Sequence, residues 1–296
     1  MNHRGKDPKK VGHGVYFFNP HGGYPTTKPG FLHAYNKNPG YVNPIRERRM
    51  MMGPKYRNIV QRLLIEAFFT FISAIVFSYT FGTGLGGVVA RGLVTTALVY
   101  LQFRRSGAFF NPSLVLATLV SCYDGKLGRY TQERLWTALL YLIAILIGAV
   151  IGFGLVFLIT GFSTPDSPLQ LVMNLPSSIV IDLIVIFTYC LIYLGATYSD
   201  LGMSYKGMPN HFYGIAIGFG YIGLGIAFES ITGGVLNQVN AFVTNIWRGI
   251  ATLDPLFIGT GFLYLLIHSL AALAAGFLFK AFTITMDRDK KMKYYK

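Results

Sequence analysis

The sequence predicts an all-α membrane protein, a bundle of six transmembrane helices plus two re-entrant half-helices related by an inverted repeat. Three observations predict it. Six apolar runs, near 59–81, 88–103, 135–160, 178–197, 212–229 and 256–280, approach or exceed the roughly 20 residues that cross a bilayer core. Charged residues make up only 13% of the chain, about half the share of a soluble domain, and the apolar runs are nearly free of them. A short pattern also occurs twice: Ser106-Gly107-Ala108-Phe109-Phe110-Asn111 returns as Thr232-Gly233-Gly234-Val235-Leu236-Asn237.

Residues 1–58 precede the first run. They are rich in Gly, Pro and Tyr, strongly basic against only Asp7 and Glu47, and unable to build a core. Read alone, this is a disordered basic tail. Were it ordered, another body would have to supply the surface, with Tyr16, Tyr24, Tyr35 and Tyr41 among its anchors. It has no apolar stretch of a secretory signal, and its Lys/Arg-rich, acid-poor character leans towards an organelle.

The first repeat covers 59–160 and the second 177–281, followed by a basic tail at 282–296. Each holds three long apolar runs and one short piece, 111–121 or 237–248, too short to span alone. Both termini are basic, as is the stretch after the second run (Arg104, Arg105, Lys126, Arg129, Arg134), whereas 82–87, 161–177 and 230–255 carry Arg248 as their only cation. Positive charge therefore puts both termini on the cytoplasmic or matrix side, in agreement with six spans, which require that they share a side.

At the twin motifs the chain resembles the aquaporin, or major intrinsic protein, family, whose signature is a pair of Asn-Pro-Ala boxes. Here the boxes read Asn111-Pro112-Ser113 and Asn237-Gln238-Val239, so the second is degenerate. The resemblance implies half-helices meeting at the midplane, each capped by its Asn, with their dipoles repelling cations. Pro112 suits the first position of a helix; Gln238 lacks its fixed φ and adds a polar side chain near the narrowest region.

The family also implies that Glu66 is the buried acid holding a re-entrant loop, with Asp182 as its shorter counterpart. Carried over by spacing, the filter positions are Arg91, Gly225, Gly234 and Asn240. The arginine position has become Asn240 and the aromatic position Arg91. Ala241 stands where glycerol-conducting relatives often carry Asp.

No other charge lies between Gly86 and Val99, so Arg91 is the residue to explain. It could be a relocated filter cation in an open pore widened by Gly225 and Gly234. It could plug the lumen, paired with Glu229, or snorkel to the surface. Plug and snorkel together outweigh the open pore, because two other pore features are also lost.

His268 has no acid or Cys nearby and is expected to be a packing or hydrogen-bonding residue rather than a ligand. Cys122 and Cys190 are read as small apolar residues, and the glycines of spans three and five as close-contact points. No nucleophile–base set, metal spacing or phosphate loop appears, so no enzyme, cofactor or metal is expected. The basic termini need no nucleic acid to explain them. Two functions remain. The favoured one is a non-conducting or weakly conducting accessory subunit of a large membrane complex, such as a mitochondrial respiratory-chain complex, contacted through residues 1–58. The other is a channel for water or a small neutral solute with an atypical filter. A homotetramer is the family habit but is not favoured here.

Overall fold

A computed structural model describes residues 59–122, 129–160, 175–197 and 212–294, with backbone alone at 104, 129–133, 175 and 283–294. Residues 1–58, Lys126 and nearly all of the 161–177 loop lie outside the described residues.

The described chain forms eight helices: α1 (Ile59–Thr80), α2 (Leu85–Ser106), α3 (Pro112–Ser121), α4 (Arg129–Ile159), α5 (Leu175–Thr197), α6 (Tyr213–Thr232), α7 (Gln238–Thr252) and α8 (Pro255–Tyr294). Six are long and apolar enough to cross a membrane; α3 and α7 are the half-helices. The chain is a multi-pass membrane protein. Its outward faces present apolar side chains such as Leu64, Phe68, Trp136, Ile147, Leu158 and Phe219, as a lipid solvent demands.

The twin motif is a helix stop followed by a helix start. Gly107 and Gly233 end α2 and α6 in the left-handed conformation, φ 107° and 71°, their N–H groups bonding back to Phe103 and Glu229 carbonyls. A side chain would strain either position. A few residues on, Asn111 and Asn237 adopt extended backbone and cap α3 and α7. Asp254 then accepts from Leu256 N at 2.9 Å and, with Pro255 in the first helical position, starts α8.

The packing repeats as the sequence does. α1 lies on α4 as α5 lies on α8, α2 packs on α6 across the centre, and each half-helix contacts the third long helix of both halves. Glycine sets the closest approach. A Cβ on Gly148 of α4 would sit 2.1 Å from the Ala67 carbonyl of α1, and one on Gly276 of α8 would sit 2.6 Å from the Ala117 carbonyl of α3. Gly223, by contrast, has nothing within 4 Å of such a Cβ.

The sixth span runs Pro255–Phe282, close to the expected 256–280, and its helix continues to Tyr294 through the stretch read as a basic tail. No Gly or Pro follows Gly276, and charged helix formers carry the backbone on.

Candidate functional site

The two half-helices meet through their caps. Asn111 Oδ1 accepts from Ser113 N at 3.1 Å and from Gln238 N at 3.2 Å, while its Nδ2 donates to the Leu236 carbonyl at 2.8 Å. Asn237 Oδ1 accepts from Val239 N at 3.1 Å, and its Nδ2 donates to the Phe110 carbonyl at 2.8 Å. Each Asn thus caps its own helix and ties down the opposite loop. Both helix N-termini point their partial positive charge at the centre of the bundle.

The first loop is held from three sides. Glu66 Oε1 accepts from Phe109 N at 3.1 Å and Oε2 from Phe110 N at 2.8 Å. Tyr141 donates to the Ser106 carbonyl at 2.9 Å and Tyr193 to that of Gly107 at 2.7 Å. These bonds hold Ala108 and Phe110 at positive φ, 53° and 30°, which non-glycine residues seldom adopt. Arg134 of α4 closes the far end of α3 by donating to the Cys122 carbonyl at its C-cap.

The second loop is held differently. Asp182, 2% exposed, places Oδ2 2.9 Å from His268 Nε2, and its Oδ1 has no hydrogen-bond partner among the described residues. His268 is thus a hydrogen-bonding residue as expected, but with an acid as its partner, because α5 and α8 bring together residues far apart in sequence. Glycine at 233 and 234, φ 71° and 61°, gives this loop its turn with no side chain held in the left-handed region.

Gln238 also differs from expectation. Its Nε2 donates to the Leu265 carbonyl at 2.7 Å and to Ser269 Oγ at 2.8 Å, and its Oε1 accepts from Ser113 Oγ at 3.1 Å. The side chain is spent on α3 and α8 and does not line the lumen cavity. Cys190 and Val239 are buried small-to-medium apolar groups.

The filter positions do not form an open ring. Arg91 is 4% exposed, so it does not snorkel. Its Nε donates to the Gly87 carbonyl at 3.3 Å, its guanidinium lies 5.2 Å from the Phe77 ring centre and 5.7 Å from that of Phe81, and Nη1 and Nη2 have no hydrogen-bond partner among the described residues. The expected pairing with Glu229 is absent among the described residues: half-buried Glu229 makes no ion pair there. The flanking aromatic faces, rather than a carboxylate, receive the cation.

Gly225 and Gly234 do not widen the passage. A Cβ on Gly225 would lie 2.5 Å from Val88 Cγ1, and one on Gly234 would lie 2.9 Å from the Gly225 carbonyl. Backbone and Val88 occupy the room that missing side chains leave. Beside Arg91 lies a cavity of about 10 Å³, room for one water-sized body, lined by Arg91, Ser73, Thr95, Tyr221, Asn237 and Asn240 among others. Ser73, Thr95 and Tyr221 carry no motif, and only the helical phase facing Arg91 marks the first two. Among the described residues no group of three or more His, Cys, Asp or Glu is placed to hold a metal.

Six spans around two Asn-capped half-helices that meet head to head define a channel-type membrane fold. The profile described as Major intrinsic protein matches residues 59–279, and the chain belongs to that family. It is similar in fold to the aquaglyceroporin from Plasmodium falciparum, known from an X-ray structure, with 19% sequence identity, a TM-score of 0.55, and coverage of 77% of this chain and 94% of that one. No curated protein sequence matches.

Proposed function

We propose that this chain is an aquaporin-fold protein that conducts little or nothing and serves as a structural subunit of a larger membrane assembly. The observation that carries the reading is Arg91, buried in the lumen against Phe77 and Phe81, with Val88 over Gly225. A lumen with a buried guanidinium and no side-chain room at Gly225 suits a scaffold better than a conduit. The Gly/Pro/Tyr-rich basic segment at 1–58 offers aromatic residues spaced along its sequence for partner contact. The host is read as an energy-converting membrane such as the inner mitochondrial membrane, with the termini on the matrix side. Such a membrane must stay proton-tight and tolerates a channel fold when the lumen is closed.

One observation favours the second reading, a channel for water or a small neutral solute. Both Asn caps persist, and Asn237 lines the cavity. Stopped-flow water permeability in liposomes separates the two. Wild type is expected at lipid background, with Arg91→Ala and Val88→Ala raising it severalfold. A wild-type rate well above background overturns the closed-lumen reading. A mild-detergent native gel with mass spectrometry tests the assembly: comigration at fixed stoichiometry supports a subunit, and migration alone restores the channel.

A further inference from the structure

We propose that the lumen beside Arg91 is a binding site for one small monovalent anion, of halide size. The argument starts from charge. A guanidinium stays protonated in proteins, so Arg91 brings a permanent positive charge to a site 4% exposed. No carboxylate lines the cavity, and Arg91 forms no ion pair among the described residues. Its two terminal nitrogens, Nη1 and Nη2, are buried there without a hydrogen-bond partner, while Nε is turned back to Gly87. A buried charge left so is costly unless an opposite charge or strong acceptor joins it.

A helix end on the wall adds to the same sign, and Asn240 Oδ1, buried there without a hydrogen-bond partner among the described residues, is a neutral acceptor that cannot balance a full charge. Asn237 lines the cavity as the N-cap of α7, so the positive end of that helix lies at the site. Its Nδ2 spends one N–H on the Phe110 carbonyl and has a second to offer. Ser73 adds a hydroxyl to the same wall. Phe77 and Phe81 touch the cation but cannot neutralise it.

Size then selects among anions. A space of about 10 Å³ takes one water-sized body and so favours a small anion over phosphate, sulfate or an organic carboxylate. A monatomic halide is the nearest match, and chloride is the halide a cell supplies in quantity. The site does not depend on whether the lumen conducts: the ion can balance Arg91 in a closed bundle or sit as an occupant of an open one.

Bromide is the probe. The purified full chain in detergent is exchanged into sodium gluconate and titrated with sodium bromide at constant ionic strength. The expected result is a saturable rise in thermal midpoint of about 3–6 °C once bromide stands tenfold above its Kd. Arg91→Gln should abolish the rise and Arg91→Lys should keep part of it. Equal midpoints in gluconate and bromide overturn the proposal, as does an undiminished rise in Arg91→Gln, which would put the anion elsewhere. Should Arg91→Gln not fold, crystals of the wild type grown in bromide decide it. An anomalous peak within contact of the Arg91 guanidinium supports the site, and a lumen without one overturns it.

Discussion

Ser113 and Gln238, the residues standing where the family's boxes carry Ala and Pro, are hydrogen-bonded to each other at 3.1 Å across the junction of the half-helices. The two departures therefore act as one replacement. Pro at this place would offer only its ring; Gln238 also grips Leu265 and Ser269 of α8. The degenerate second box is a cross-brace between α3, α7 and α8.

Gln238→Ala should lower stability by about 1–3 kcal/mol, because the hydroxyls of Ser113 and Ser269 lose a buried partner. Ser113→Ala should be milder. In a double-mutant cycle the pair should couple by about 0.5–1 kcal/mol, in the range of hydrogen bonds measured between membrane helices. Thermal or chemical unfolding in detergent gives the numbers. Strictly additive single effects would remove the claim that the two residues act together.

Glu66 accepts from two backbone N–H groups, one on each oxygen. Glu66→Gln leaves one acceptor and turns an amide N–H against a backbone N–H. A loss of about 2–3 kcal/mol is expected, with the strained turn at Ala108 and Phe110 released. Hydrogen exchange should speed up first at the amides of Phe109 and Phe110. Unchanged exchange there, with an unchanged thermal midpoint, would show that Glu66 does not hold the loop.

The bundle was legible because its signals are periodic and local. Long apolar runs give spans, and a Gly stop four residues before an Asn cap gives each half-helix, as Gly107–Asn111 and Gly233–Asn237 illustrate. Contacts between distant segments were not legible. His268 and Asp182 meet only because α8 packs on α5, and Gln238 reaches Ser269 only because α7 packs on α8. Nor could the substitution of Gly at 225 reveal whether space opens or a neighbour fills it. That depended on Val88, one turn from Arg91 on α2.

The two halves hold their loops by different means, and Asp182 tests the difference. His268 Nε2 already stands 2.9 Å from the carboxylate, in a site where Asp182 is 2% and His268 0% exposed. Asp182→Glu, which copies the residue at 66, should therefore cost about 1–3 kcal/mol by overpacking. Removing the imidazole in the double variant Asp182→Glu, His268→Ala should recover part of that loss. A single Asp182→Glu variant more stable than wild type, read by thermal unfolding, would show instead that the longer acid reaches the second loop as Glu66 reaches the first.

Gly148 gives the sharpest packing test. Its missing side chain lets α4 lie against the α1 backbone, where a Cβ would come 2.1 Å from the Ala67 carbonyl. Neither partner is a flexible side chain, so the strain can be relieved only by moving a helix. Gly148→Ala should cost about 3 kcal/mol or more, at or above the upper end of overpacking, and broaden the size-exclusion peak. Gly223→Ala is the control on α6. Nothing lies within 4 Å of its added methyl, and the better helix propensity of Ala should leave stability level or raise it by up to about 1 kcal/mol. Equal behaviour of the two variants would mean that α1 and α4 are not packed backbone to backbone at this point, and the inverted-repeat packing between the first and third spans would have to be redrawn.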